Sequence, residues 1–260
     1  MAMSTSGPAT TVTVSLWFLG LLGIVSAGLA IGAAVDGDPA AALGFGAAAV
    51  FFGHLVGFGV HLWWRRYRWE PSAADGGVTF HYSGWAYYWV VSVAGLMILA
   101  LLTVGAAFLL AGDPPASVLV PLVTAGLAAL FGLAVLRQVY GGRGWLRLTP
   151  AGLEHHGPGY LHRLSWDAVA EVSTTTVENG SPLIVLRPTA AAPVEITYAL
   201  PRPIGRHHVR LLPSMTVRGM WLADDPSIVY RTLRHYHTHP THRPELTAGT
   251  ALDRIRERRL

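Results

Sequence analysis

An imidazole in the middle of an apolar stretch is the first group in this sequence whose type and position suit chemistry. His54 lies near the centre of residues 40–64, with His61 seven residues on and Arg65 another four. Both intervals are close to whole helical turns, so the three residues share one helix face. An ionisable group at the middle of a bilayer is costly and by default a functional hypothesis. His54 could relay protons, take a ligand or coordinate a metal with His61. The alternative is a neutral imidazole hydrogen-bonding across to a neighbouring helix, at Ser92 or Thr124. That alternative is favoured, because the other apolar stretches supply no His, Asp or Glu to complete a haem or metal site.

A second cluster is His235, His237, His239 and His242. His235 and His239 are i, i+4, the helical spacing that zinc proteases use, but the general-base Glu of their H-E-x-x-H motif is missing. At a helix C-terminus, His and Arg also favour the helix dipole, so a structural role is expected. His155-His156 and His207-His208 read as strand or loop surface. The chain has no G-x-S-x-G, no Walker loop and no paired carboxylates in an apolar stretch. Gly141-Gly142-Arg143-Gly144 follows a helix rather than a strand, the wrong context for phosphate binding, and reads as a hinge. No catalytic residue, metal or cofactor is therefore expected. Cysteine is absent, which excludes disulfides, thiolate ligands and thiol catalysis.

The elements that must position these residues are largely apolar. Of 260 residues, 52% are hydrophobic and only 13% charged, against about 25% charged in a soluble domain. Four stretches reach the roughly 20 apolar residues that a bilayer requires: 14–35, 40–64, 85–111 and 116–136. The first has no basic n-region and too long an apolar core for a signal peptide, so it is predicted to be a retained helix behind a short tail, 1–13. The turns at 36–39 and 112–115 are acidic. Arg65, Arg66 and Arg68 follow the second span, and Arg137, Arg143 and Arg147 follow the fourth. Cytoplasmic loops collect Arg, so both termini are predicted to face the cytoplasm of a multi-pass plasma-membrane protein. Trp63, Trp64, Tyr67 and Trp69 in the loop after the second span, and Trp85, Tyr87, Tyr88 and Trp89 at the start of the third, read as interfacial anchors. Gly28 with Gly32 and Gly53 with Gly57 form GxxxG pairs, a spacing that lets helices approach closely. The similar turns Gly37-Asp38-Pro39 and Gly112-Asp113-Pro114 read as shared turn chemistry rather than a duplication.

After Arg137 the period shortens. Residues 145–149 alternate apolar and polar, Pro150-Ala151-Gly152 turns, and 153–156 continues, which reads as a β-hairpin. Further strand signals fall at 160–164, 166–172, 182–187, 194–198 and, at an edge, 208–212. Asp225-Pro226 then reads as an N-cap with Pro at N1. Ile228, Val229, Leu233 and Tyr236 recur at helical spacing up to Pro240, and 247–260 forms a short basic tail helix. Strand, T-P-A-G-L-E turn, strand, the run Leu164 to Val172, more strands and a closing helix resemble the bacterial pleckstrin-homology-like (PH-like) domain, over about 143–246. The closing stretch from Tyr236 to Leu246 resembles that of actinobacterial membrane proteins of the same build. The resemblance implies a seven-stranded bent sandwich closed by a helix, carried on a four-helix transmembrane bundle.

Three functions fit these residues. The favoured one is a non-enzymatic accessory or scaffold subunit of a larger membrane assembly, for which the resemblance suggests lipid-import machinery. The second is a lipid-responsive surface module in which Arg143, Arg147, Arg163, Arg254, Arg256, Arg258 and Arg259 meet anionic headgroups. The third is a small proton-linked carrier using His54 and His61. Membrane lipids and other membrane-complex subunits are the expected partners. The sequence pI near 9.7 is assigned to lipid rather than nucleic acid.

Overall fold

The computed structural model describes residues 10–64, 67, 71–74, 76–111, 114–157, 159–176, 181–190, 195–198 and 213–260. Arg65, His207-His208 and the predicted strand at 208–212 lie outside the described residues. Two compact units emerge, one from Gly7–Arg65 with Trp85–Val139, the other from Arg66–Gly84 with Tyr140–Leu260.

The first unit is helical: α1 (Thr10–Val35), α2 (Pro39–Trp64), α3 (Gly84–Ala111) and α4 (Ala116–Tyr140). The shortest has 25 residues and spans about 37 Å at 1.5 Å per residue, against a hydrocarbon layer of about 30 Å. All four are long and apolar enough to cross a membrane. Their outer surface carries large apolar side chains, such as Trp17 (78% exposed), Ile24 (73%) and Leu110 (86%). Helices that are apolar all round suit lipid as their solvent.

Helix contacts pass over glycines, though mostly not the predicted ones. A Cβ at Gly57 would collide with the Trp89 indole, one at Gly59 with Leu16, and one at Gly105 with Thr124 Oγ1. Gly28, Gly32 and Gly53 have nothing within 4 Å of an added Cβ. Of the two GxxxG pairs, Gly57 packs under Trp89 and the Gly53 backbone lies 3.9 Å from a Cβ built on Gly23, while Gly28 and Gly32 face open space.

The second unit is a six-stranded antiparallel sheet beside a three-stranded one. Its strands are β1 (Ser72–Ala74), β2 (Gly77–His81), β3 (Trp145–Leu148), β4 (Gly152–Gly157), β5 (Tyr160–Ser165), β6 (Val169–Thr176), β7 (Pro182–Pro188), β8 (Glu195–Tyr198) and β9 (Met215–Arg218). The larger sheet runs β1-β2-β3-β4-β5-β8 and the smaller β6-β7-β9. The segment joining α2 to α3, read from sequence only as a loop with interfacial aromatics, thus supplies two strands. β2 pairs with β3 in the register Val78↔Leu148, Thr79↔Arg147, Phe80↔Leu146 and His81↔Trp145. Just beyond, Ala223 N–H donates to the His81 carbonyl at 2.9 Å and Ser83 N–H to the Trp221 carbonyl at 2.7 Å.

The T-P-A-G turn is closed from within. The Trp166 indole N–H donates to the Thr149 carbonyl at 2.7 Å. A Cβ on Gly152 would stand 2.6 Å from the Leu164 carbonyl oxygen, so glycine is required there. Trp166 opens a 3-10 turn, Trp166–Ala168, rather than a strand, and β6 follows. After β9, α5 (Pro226–Thr238) is capped as predicted: Asp225 accepts from Ser227 N–H at 2.8 Å, with Pro226 at the first helical position. Residues Pro240–Thr247 form a 3-10 segment and Thr250–Arg256 a last helix, α6. The predicted tail is no separate appendage, since Leu246, Ala251 and Ile255 are fully buried in one core with Phe80, Leu146, Trp166, Ile184, Val229, Leu233 and Tyr236.

Phe80 is wholly buried although its strand comes from between two apolar helices. Phe80→Ala should therefore cost the sheet unit about 3–5 kcal/mol, the usual range for emptying a buried aromatic site. Urea denaturation of the full chain in detergent, followed by hydrogen exchange in β4 and β5, measures it. Unchanged protection there would detach the hairpin from the core.

Candidate functional site

The hydrogen bond of His54 is made within its own helix rather than across to Ser92 or Thr124. Its Nδ1 lies 2.9 Å from the Val50 carbonyl one turn back; since a carbonyl only accepts, Nδ1 carries the proton. Trp89 meets the ring edge-on at 5.6 Å between centroids. The two partners predicted for His54 are also turned onto their own helices. Ser92 Oγ donates to the Trp89 carbonyl at 3.1 Å, and Thr124 Oγ1 to the Val120 carbonyl at 2.9 Å. An imidazole or hydroxyl in an apolar medium is costly without a hydrogen bond, and the nearest acceptor is the carbonyl one turn earlier. His54 and His61 are two turns apart, about 10 Å along the axis.

The arginines named for headgroup binding mostly have carboxylate partners. Arg163 bridges Glu154 at 2.9 Å and Glu195 at 3.2 Å. Arg147 lies 3.8 Å from Glu154 and sits over the Trp145 ring at 4.7 Å. Arg254 grips Glu245 with two bonds of 2.8 Å, which holds the Glu245 carboxyl below its ordinary range. Arg256 pairs with Asp253 at 3.8 Å and Arg259 with Glu257 at 2.6 Å. Arg143 donates to the Tyr82 carbonyl at 2.8 Å. Arg258 takes a left-handed conformation (φ 56°) at the end of the last helix. Exposed pairs of this kind are weak, yet a lipid phosphate would have to displace a carboxylate at most of these positions.

The histidines of the sheet unit fall into two groups. His155, predicted to be surface, is buried at 1% exposure, because alternation along β4 turns it inward while its neighbour points out. Tyr82 Oη lies 2.7 Å from His155 Nε2, and Tyr160 Oη lies 3.4 Å from Nδ1. Burial raises both phenols well above the ordinary tyrosine value, so both stay neutral. It borders a cavity of about 10 Å³ lined by His155, Tyr160, His162, Ile196, Tyr198, Ser214 and Thr216, room for about one water molecule and too small for an organic substrate. His156 stacks on Trp145, 5.5 Å between centroids and 10° between planes. The sequence signal for this site was the alternation Val78-Thr79-Phe80-His81-Tyr82 after Gly76-Gly77, which reads as a strand once the preceding aromatics are set aside.

The second group is at the end of α5. His235 Nε2 lies 3.0 Å from His242 Nδ1, and His239 Nδ1 lies 3.1 Å from the His235 carbonyl. The rings of His235, His239 and His242 lie at 4.7, 5.1 and 5.4 Å with near-parallel planes. Among the described residues no group of three or more His, Cys, Asp or Glu is arranged to hold a metal ion. His235 and His242 spend their facing nitrogens on each other.

Tyr82→Phe removes the phenol from His155 and should destabilise the sheet unit by about 1–3 kcal/mol, the cost of unmaking a buried hydrogen bond. Comparison of urea midpoints for the two full-length chains tests this; equal midpoints would make the contact incidental.

The chain matches no protein-family model, no curated protein and no solved structure.

Proposed function

We propose that this chain is a non-enzymatic accessory or scaffold subunit of a cell-envelope membrane assembly, held in the plasma membrane by four helices with both termini cytoplasmic. The observation that carries this reading is the edge strand β6. It is eight residues long, pairs among the described residues with β7 alone in the order β6-β7-β9, and ends in the uncharged run Ser173-Thr174-Thr175-Thr176. Edge strands are commonly blunted by charge, Pro or a bulge. Here the bulge between Val169 and Glu171 and the Glu171–Arg187 pair defend only the first half. The second half suits addition of a partner's strand, a recognition mode whose affinity comes from main-chain hydrogen bonds.

The PH-like resemblance is supported by the seven strands from β3 to β9 followed by α5. The β1–β2 hairpin is an addition that the resemblance does not imply. Lipid-import machinery is the assembly class that the resemblance suggests. The headgroup reading is weakened by the carboxylate partners of the arginines, and the carrier reading by the bond of His54 to its own helix.

Affinity purification of the tagged chain from its native membrane in mild detergent, followed by mass spectrometry, tests the proposal. Stoichiometric recovery of other membrane-complex subunits is the expected result. Recovery of the chain alone, as a monomer or homo-oligomer, would overturn it.

A further inference from the structure

We propose that the hydrogen bond between the His235 and His242 imidazoles is an acid-weakened latch that holds the C-terminal segment, residues 240–256, against α5. The two ring centroids are 5.1 Å apart with planes only 25° from parallel, while the facing nitrogens are 3.0 Å apart. Rings at that spacing meet edge to edge rather than face to face. Such a bond requires one nitrogen with a proton and one without. It survives while the pair is neutral or shares one extra proton. With both rings fully protonated, two N–H groups oppose each other and the bond is lost.

The surroundings oppose that charging. His239, at the end of α5, lies 4.7 Å from the His235 ring and 5.4 Å from that of His242. From α6, the Arg254 guanidinium faces the same group, and from the 3-10 segment the facing groups are His242 and Glu245. Glu245 is already engaged in two bonds with Arg254. The neighbouring Tyr236 phenol, pushed up to about 12 by burial and then by Glu245, stays neutral. Burial first, then His239, Arg254 and His242, lower the basicity of His235.

The sign follows from linkage. When the segment is released, His235 on α5 moves back toward the ordinary histidine value, while against the docked segment it titrates lower. Release therefore takes up protons, and the docking that is complete above about pH 6.5 weakens as pH falls through the depressed value. The other tethers of the segment do not titrate in that window. Arg243 donates to the Tyr236 carbonyl at 3.1 Å and pairs with Asp167 at 3.2 Å, and Arg254 keeps Glu245 ionised. The histidine pair is thus the acid-sensitive part of the docking. What it uncovers on release is apolar: Leu246, Ala251 and Ile255, each fully buried in the docked state.

Hydrogen–deuterium exchange of the full chain in detergent at pH 7.5 and pH 5.5, corrected for the intrinsic pH dependence of exchange, reads the latch directly. Protection across 246–256 should fall more than protection across β4 as the pH is lowered, in the direction set by the lowered basicity of His235. His235→Gln, which removes the group whose basicity is lowered on docking, should abolish most of that excess. The proposal is overturned if 246–256 and β4 lose protection in step in the unsubstituted chain, a comparison that stands even where a variant fails to fold. It is equally overturned if His235→Gln keeps the whole acid response.

Discussion

The pairing of β2 with β3 is the constraint on which the sheet unit depends. β2 ends at His81 just before α3 starts at Gly84, and β3 begins at Trp145 just after α4 ends at Tyr140. Two strands far apart in sequence must therefore meet in register before the larger sheet has its middle. The contact is well founded physically. Val78 and Phe80 bring two fully buried side chains to the core face. On the other face Arg147 Nε donates to Thr79 Oγ1 at 3.3 Å. A register slip of one residue would turn Val78 and Phe80 out and Thr79 in.

A second theme is that polar groups find partners locally. In the helices, His54, Ser92, Thr103 and Thr124 each bond a carbonyl of their own helix, as suits side chains with no water to turn to. In the sheet unit, Arg147, Arg163, Arg187, Arg243, Arg254, Arg256 and Arg259 all have carboxylate partners. Among the described residues, these seven arginines are held in ion pairs. On the proposed scaffold reading, what the sheet unit offers to a partner is backbone, at the β6 edge, more than these arginines.

Much of this architecture was legible in the sequence because its signals are local. The helices fall within a few residues of the predicted spans, since length and hydropathy alone define them. Asp225-Pro226 marked the start of α5, and the alternation at 145–156 marked the β3–β4 hairpin. The hairpin at 72–81 was missed because aromatic residues around it read equally well as interfacial anchors, and its partner strand lies beyond two apolar helices. The GxxxG spacing defines a helix face but does not say which way it points, within the chain or toward a partner. His155 and His156 are adjacent in sequence and opposite in environment, a distinction set by strand register rather than residue type. The His235–His242 bond joins the closing helix to the segment folded back on it, a contact that helical periodicity does not predict.

The most direct test of the account is a cysteine pair across β2 and β3, in a chain that has no cysteine of its own. Thr79→Cys with Arg147→Cys joins directly opposed residues whose side chains already touch. Thr79→Cys with Leu146→Cys places one thiol on each face. Under mild oxidation in native membranes, the first pair should form an intrachain disulfide, seen as faster migration on a non-reducing gel, and the second should not. Failure of the first pair to close, or equal closure of both, would contradict a sheet that takes its second strand from between the helices.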